Sequence, residues 1–176
     1  MFEKKTMAAL DRKSIAETKE NPAHDILIIL DDVRSMHNVG SAFRTADAFG
    51  ISGIYLCGYT PTPPHRDIHK TALGAEESII WKHFRHINEG LKAARDAGFR
   101  LIAIEQTIGS VPLNQSSFQT NDKLAFIFGN EVEGVSDAAL AEVDACIEIP
   151  QFGAKHSLNI SVSVGVVLWE MIRKKD

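Results

Sequence analysis

Three short stretches combine residue types and spacings suited to holding a small ligand. Ile149-Pro150-Gln151-Phe152-Gly153-Ala154-Lys155-His156-Ser157-Leu158-Asn159-Ile160-Ser161-Val162-Ser163 sets a Pro, a Gly and the polar cluster Ser157, Asn159 and Ser161 against a long apolar segment. Such a join between a loop and a buried element can grip a ligand through main-chain groups. In Phe126-Ile127-Phe128-Gly129-Asn130-Glu131-Val132-Glu133-Gly134-Val135, the two glycines permit tight turns and leave backbone donors and acceptors open. At the carboxyl ends of parallel strands such loops form the usual ligand crevice. The spacing is not that of a phosphate loop, because no Lys-Ser/Thr pair follows. In Asn38-Val39-Gly40-Ser41-Ala42-Phe43-Arg44-Thr45-Ala46, Asn38 is suited to cap a helix and Gly40 to let the backbone approach another group. Arg44 lies between Phe43 and Ala46, which should face a core. A guanidinium there needs an anion, and a phosphate matches its planar fork.

Other residues carry weaker signals. His65 and His69 are spaced i, i+4, and His83 and His86 i, i+3, so each pair could share a helix face. No Cys or acid has companion ligand spacing, so no metal is expected. The net charge of -4 argues against generic nucleic-acid binding. A local basic stretch, with Arg66, Lys70, Lys82 and Arg85 among these four histidines, is still compatible with RNA contact. Cys57 and Cys146 sit in apolar stretches and read as buried free thiols in a reducing compartment. Hydrophobic residues make up 44% and charged residues 24%, the balance of a folded soluble domain. The longest aliphatic run, Ile26 to Leu30, is far too short to span a membrane, and no secretory signal is visible. A cytoplasmic protein is expected.

The elements that must position these residues alternate along the chain. Residues 1 to about 20, with Met7, Leu10 and Ile15 as sparse apolar points, predict an exposed helix ended by Asn21-Pro22. Strands are predicted at Ile26–Leu30, Gly53–Cys57, Arg100–Glu105, Leu124–Phe128 and Cys146–Ile149. Helices are predicted from Val39 to Phe49 with Gly50 as stop, over residues 67–75, from Glu89 to Ala97 closed by Gly98, and from Ser136 to Val143 with Ser136 as cap. This pattern means an α/β fold, a mostly parallel sheet with helices on both faces. From Leu158 to Val166, apolar residues alternate with Asn159, Ser161, Ser163 and Gly165. That period of two favours a strand, but the apolar run continues to Ile172, which suits a buried helix.

Read together, the three stretches resemble the three motifs of the SpoU (TrmH-like) branch of the SPOUT methyltransferases, and the resemblance spans roughly residues 26–174. It implies a helix for the C-terminal segment, a domain over residues 25–176 behind an N-terminal helical extension (1–24), and a C-terminal deep trefoil knot. It also implies transfer of a methyl group from S-adenosyl-L-methionine to a ribose 2'-hydroxyl in RNA. Matched residue by residue, Arg44, Asn38, Glu131, Ser157 and Asn159 carry the catalytic roles. Arg44 serves substrate positioning and activation, and Ser157 and Asn159 fix Arg44 and the ribose. Glu105, Gln106, Gly129, Ile149 and Leu158 line the methyl-donor pocket. The resemblance favours tRNA over ribosomal RNA, and a homodimer whose interface includes Leu158 to Ile172. A non-catalytic RNA-binding module would be expected to lose Arg44, Glu131 or Asn159, and all are present. A flavodoxin-like nucleotide binder would need a phosphate-cradling loop after the first strand, where Asp31-Asp32 stands instead.

Overall fold

The computed structural model describes residues 2–6, 14–118, 122–154 and 157–173. Seven parallel strands form one sheet: β1 (His24–Asp31), β2 (Ile51–Cys57), β3 (Trp81–Phe84), β4 (Arg100–Ile104), β5 (Val111–Pro112), β6 (Leu124–Phe128) and β7 (Ala145–Glu148), in the order β3-β2-β1-β6-β4-β7-β5. The α/β expectation holds, and the five strands read from the sequence are present. The sequence reading missed β3 and β5, both at sheet edges. In β3 only Trp81 and Phe84 are partly covered, and β5 has two residues. An edge strand buries too little to show a continuous apolar run.

The side chains of β1 alternate between two cores. Ile26, Ile28 and Leu30 pack with α2 (Met36–Phe49), α3 (Arg66–Ala72) and α7 (Ile160–Arg173). Leu27 and Ile29 pack with α5 (Ile87–Asp96) and α6 (Asp137–Leu140) on the other face. A strand buried on both faces reads as unbroken apolar sequence for this reason. Cys57 lies fully buried in the second core, and burial, with nearby carboxylates, pushes its thiol up to about 12. Cys146 is half-buried and donates to the Glu105 carbonyl. Both thiols are free.

Near the N-terminus, α1 (Ile15–Glu20) is a short exposed helix started by a Ser14–Glu17 capping box and ended at Asn21. Met7 and Leu10 lie outside the described residues, and residues 2–6 form no helix. The short α4 (Ala75–Ser78) follows α3, and α6 is shorter than its pattern suggests. The α7 segment is helical, as the resemblance implied. Ile160, Val164, Val167, Leu168 and Met171 are buried in one stripe. The segment is therefore not covered all round: Val162, Val166 and Trp169 stand exposed. The alternation that suggested a strand arises because this second, exposed apolar face interleaves with the buried one.

One reading of α2 needs correction and one holds. Ser35, not Asn38, is the N-cap: its hydroxyl accepts from the Asn38 N–H at 3.3 Å, and Asn38 sits in the first turn. The backbone approach allowed by Gly40 is to α3, because a Cβ there would lie 2.3 Å from the Ile68 carbonyl oxygen. The histidine pairs are also placed differently. His65 caps α3 and accepts from the Asp67 N–H, whereas His83 is in β3 and His86 precedes α5, so the second pair shares no helix face.

Candidate active site

A cleft of about 480 Å³ opens at the carboxyl ends of β4, β6 and β7, a size typical of small-molecule sites. The strands deliver its walls directly: Glu105 and Gln106 follow β4, Gly129 follows β6, and Ile149 follows β7. Glu131, Ser157, Leu158 and Asn159 complete the lining among the residues singled out from the sequence.

The loop after β6 is built by close backbone contact. A Cβ on Gly129 would lie 1.9 Å from the Gly134 backbone, so only glycine fits. Asn130 and Gly134 exchange two main-chain hydrogen bonds, and the Asn130 side chain accepts from the Val132 and Glu133 N–H groups. Gly134 has φ 71°, and the Glu105 carboxylate packs against it. That carboxylate accepts from the Val135 N–H at 3.0 Å and from the Gln106 N–H at 2.8 Å. Just beyond, Ser136 N–H donates to Asp31 Oδ2 at 2.9 Å. Asp31 is only 2% exposed, and burial pushes its carboxyl above the usual range against the opposing effect of Ser136. Asn130, Asp31 and Ser136 were not assigned to the site from the sequence. Asn after Gly in a turn was the available signal for the first, since Asn side chains close turns on themselves.

Asn38 joins the loops. Its amide nitrogen donates to Glu131 Oε1, and its carbonyl oxygen accepts from Asn159 Nδ2 at 3.1 Å. Asn159 in turn starts α7, accepting from the Ser161 N–H at 2.9 Å and from the Ser161 hydroxyl. Capping by Ser35 leaves the Asn38 side chain free for this bridge. Within one copy, Asn159 is held by Asn38.

Arg44 stands apart. It is exposed, not turned toward the core, and borders a separate hollow with His24, Asp47 and Ile172. Six residues along a helix separate it from Asn38 by roughly 9 Å of rise and place it on a different face. Phe43 and Ala46 do face the core, but successive helix positions diverge, so Arg44 does not follow them. Among the described residues no group of His, Cys, Asp and Glu is arranged to hold a metal ion.

A model of the SpoU rRNA methylase family matches residues 25–169. The chain belongs to the SpoU family. Among SpoU relatives, it is 29% identical over 150 residues to a 23S rRNA (guanosine-2'-O-)-methyltransferase, RlmB, of Neisseria meningitidis serogroup B, covering 85% of this chain and 59% of the relative. The chain therefore spans little more than half of that protein's length. Its fold also matches a solved AdoMet-bound rRNA methyltransferase from Sinorhizobium meliloti, with TM-score 0.79, 28% identity, and coverage of 92% of this chain and 60% of the other. A third match is the TrmH/SpoU tRNA modifying enzyme of A. aeolicus, with TM-score 0.79, 25% identity and coverage of 91% and 80%. The SpoU expectation drawn from the three motifs is met.

Proposed function

We propose that this chain transfers a methyl group from S-adenosyl-L-methionine to a ribose 2'-hydroxyl of RNA. The observation that carries the reading is the cleft at the carboxyl ends of β4, β6 and β7, in which Asn38 ties Glu131 to Asn159 in a member of the SpoU family. The residues present fit the donor. Gly129 and Gly134 bring bare backbone to the cleft wall, and Glu131 and Glu133 supply negative charge suited to a sulfonium cation. When bound there, S-adenosyl-L-methionine supplies an electrophilic methyl group. Gly129, Ile149 and Leu158 would line the donor's pocket, with Gln106 at the rim. Glu105 shapes the pocket by fixing Gly134 and Val135. Ser157 and Asn159 would orient the ribose, whose 2'-oxygen would take the methyl in exchange for its proton. The donor's S–C bond breaks to leave its demethylated thioether, and the proton passes by way of the substrate phosphate to solvent.

Arg44 binds the substrate phosphate and helps activate the hydroxyl, but within one copy it does not face the cleft. Its role therefore calls for a second copy of the chain. The exposed face of α7 supports a homodimer: Val162, Val166 and Trp169 border an apolar groove of about 500 Å³. In this reading the site is completed by Arg44 of the other copy. The domain runs over residues 25–176 behind the N-terminal extension, works in the cytoplasm, and carries a C-terminal deep trefoil knot. No described helix is long and apolar enough to cross a membrane.

For the substrate we favour tRNA. The likeness reaches 80% of the tRNA modifying enzyme but about 60% of the two ribosomal RNA methyltransferases. The test is transfer of labelled methyl to purified tRNA and to ribosomal RNA, with nuclease mapping of the product. Transfer to a tRNA ribose is expected, with Arg44→Ala abolishing it and retaining donor binding. Donor binding without methyl transfer to either RNA would overturn the activity. Transfer to ribosomal RNA alone would overturn the choice of tRNA.

A further inference from the structure

We infer that the carboxyl ends of β1, β2 and β3, beside the cleft, form a platform for single-stranded RNA, with Tyr59 as the stacking residue and Arg34 and Arg85 as phosphate contacts. The inference rests on the RNA-directed function proposed above. Three turns meet there. Asp32 N–H donates to the Cys57 carbonyl, and Gly58 N–H donates to the Phe84 carbonyl at 3.0 Å. These bonds bring residues 32–34, 58–60 and 85–86 together along the edge that also carries the cleft.

Tyr59 is 80% exposed, yet its backbone is held from several sides. Its N–H donates to Asp32 Oδ1 at 2.7 Å. Next to it, the buried Thr60 hydroxyl donates to the Leu30 carbonyl and accepts from the Val33 N–H at 3.0 Å. Gly58 has φ 63°, and a Cβ there would lie 2.0 Å from Asp32 Oδ1, so the turn has little room to shift. A ring displayed in water on a turn this firmly tied contributes little to the core. It is preorganised to stack, and base–aromatic stacking tolerates any sequence.

The surrounding charge fits an RNA strand. Arg34 and Arg85 are exposed, and no ion pair engages either among the described residues. His83 reaches the Gly58 carbonyl at 3.2 Å, beside His86. The nearest acid in the turn, Asp32, is occupied by the Tyr59 amide. Cations without an ion pair among the described residues, near an exposed aromatic on a chain of net charge -4, fit this edge as a local phosphate-binding surface. Strand spacing puts the end of β3 roughly 15 Å from that of β6, a span of a few nucleotides.

The experiment uses the full chain with a short fluorescent RNA of random sequence, single-stranded or annealed to its complement, and bulk tRNA as methyl acceptor. Tyr59→Ala is expected to weaken single-strand binding about tenfold and to raise KM for tRNA. Tyr59→Phe keeps the ring and should bind like the wild type. Arg85→Ala should lower the salt dependence of log K by about 0.7. Titration calorimetry should find donor binding unchanged in all three. Equal binding of duplex and single strand, or Tyr59→Ala matching the wild type in binding and KM, would overturn the platform while the methyltransferase reading stands. A wild-type chain that binds donor but transfers no methyl to RNA would overturn both.

Discussion

The two loops that wall the cleft are built in opposite ways. The loop after β6 is tied at nearly every residue: Gly129 packs on Gly134, Asn130 closes the turn, Glu105 holds Val135, and Asp31 holds Ser136. The loop after β7 contrasts with it. Gln151 to Ala154, Ser157 and Leu158 take part in no hydrogen bond among the described residues, and firm attachment returns only at Asn159. One wall is formed before any ligand arrives, and the other depends on its far end. A preformed wall reduces the ordering cost of binding, and a loosely held one leaves a way in and out.

The contrast can be broken most severely at Gly129. Gly129→Ala would force a methyl into backbone already at contact distance. We expect a loss of about 3 kcal/mol or more in urea unfolding, together with loss of donor binding. Next is the shared node. Asn38→Ala should leave the helix cap at Ser35 intact but release Glu131 from Asn159, and single-turnover methyl transfer should fall at least about a hundredfold, as misplacement of reacting groups does. If transfer persists near the wild-type rate, the two walls are not coupled through Asn38.

Smaller changes sharpen the comparison. Glu105→Gln keeps an acceptor but weakens a charge-assisted pair of bonds, with about 1 kcal/mol expected in unfolding. Asp31 gives a pH signature. Its folded pKa is raised, so the folded state binds the proton more tightly than the unfolded one. Its contribution to stability is fully present below pH 3.8 and is lost as pH rises through the folded value. Asp31→Asn should therefore gain on the wild type as pH rises above 3.8, followed by unfolding midpoints across pH. The smallest effect belongs to the loose wall. Among the described residues, none beyond its chain neighbours lies within 4 Å of where a side chain at Gly153 would begin, so Gly153→Ala should shift stability by less than about 1 kcal/mol, toward greater stability. A large loss there would mean that this loop is tied as firmly as its counterpart.

Much of this was legible in the sequence because burial writes itself as pattern. The unbroken Ile26–Leu30 run gave the central strand, and Val39, Phe43 and Ala46 gave the core face of α2. The cleft was largely legible too: Glu105, Gln106, Gly129, Glu131, Ile149, Ser157, Leu158 and Asn159 all meet in it. What stayed hidden depends on partners distant in the chain. The bridge from Asn38 to Glu131 and Asn159 joins residues 93 and 121 positions apart. Local capping preference pointed Asn38 at its own helix, and Ser35 was the better-placed cap. The orientation of Arg44 was misread because neighbours in sequence do not share a helix face, and periodicity alone left α7 open because two apolar faces on one helix mimic a strand's alternation.

The position of β6 has a kinetic consequence. It lies between β1 and β4, although both precede it in the chain. As the chain leaves the ribosome, these two strands have no permanent partner in each other and must keep a gap one strand wide until residues 124–128 arrive. β7 enters a second gap, between β4 and β5, later still. The sheet therefore closes from the outside inward, and its best-buried strand is among the last to be made. Such long-range parallel pairing folds slowly and leaves unpaired edges open meanwhile. A nascent chain stalled before residue 124 should be a target for chaperones, and completion of β6 should be the step that releases it.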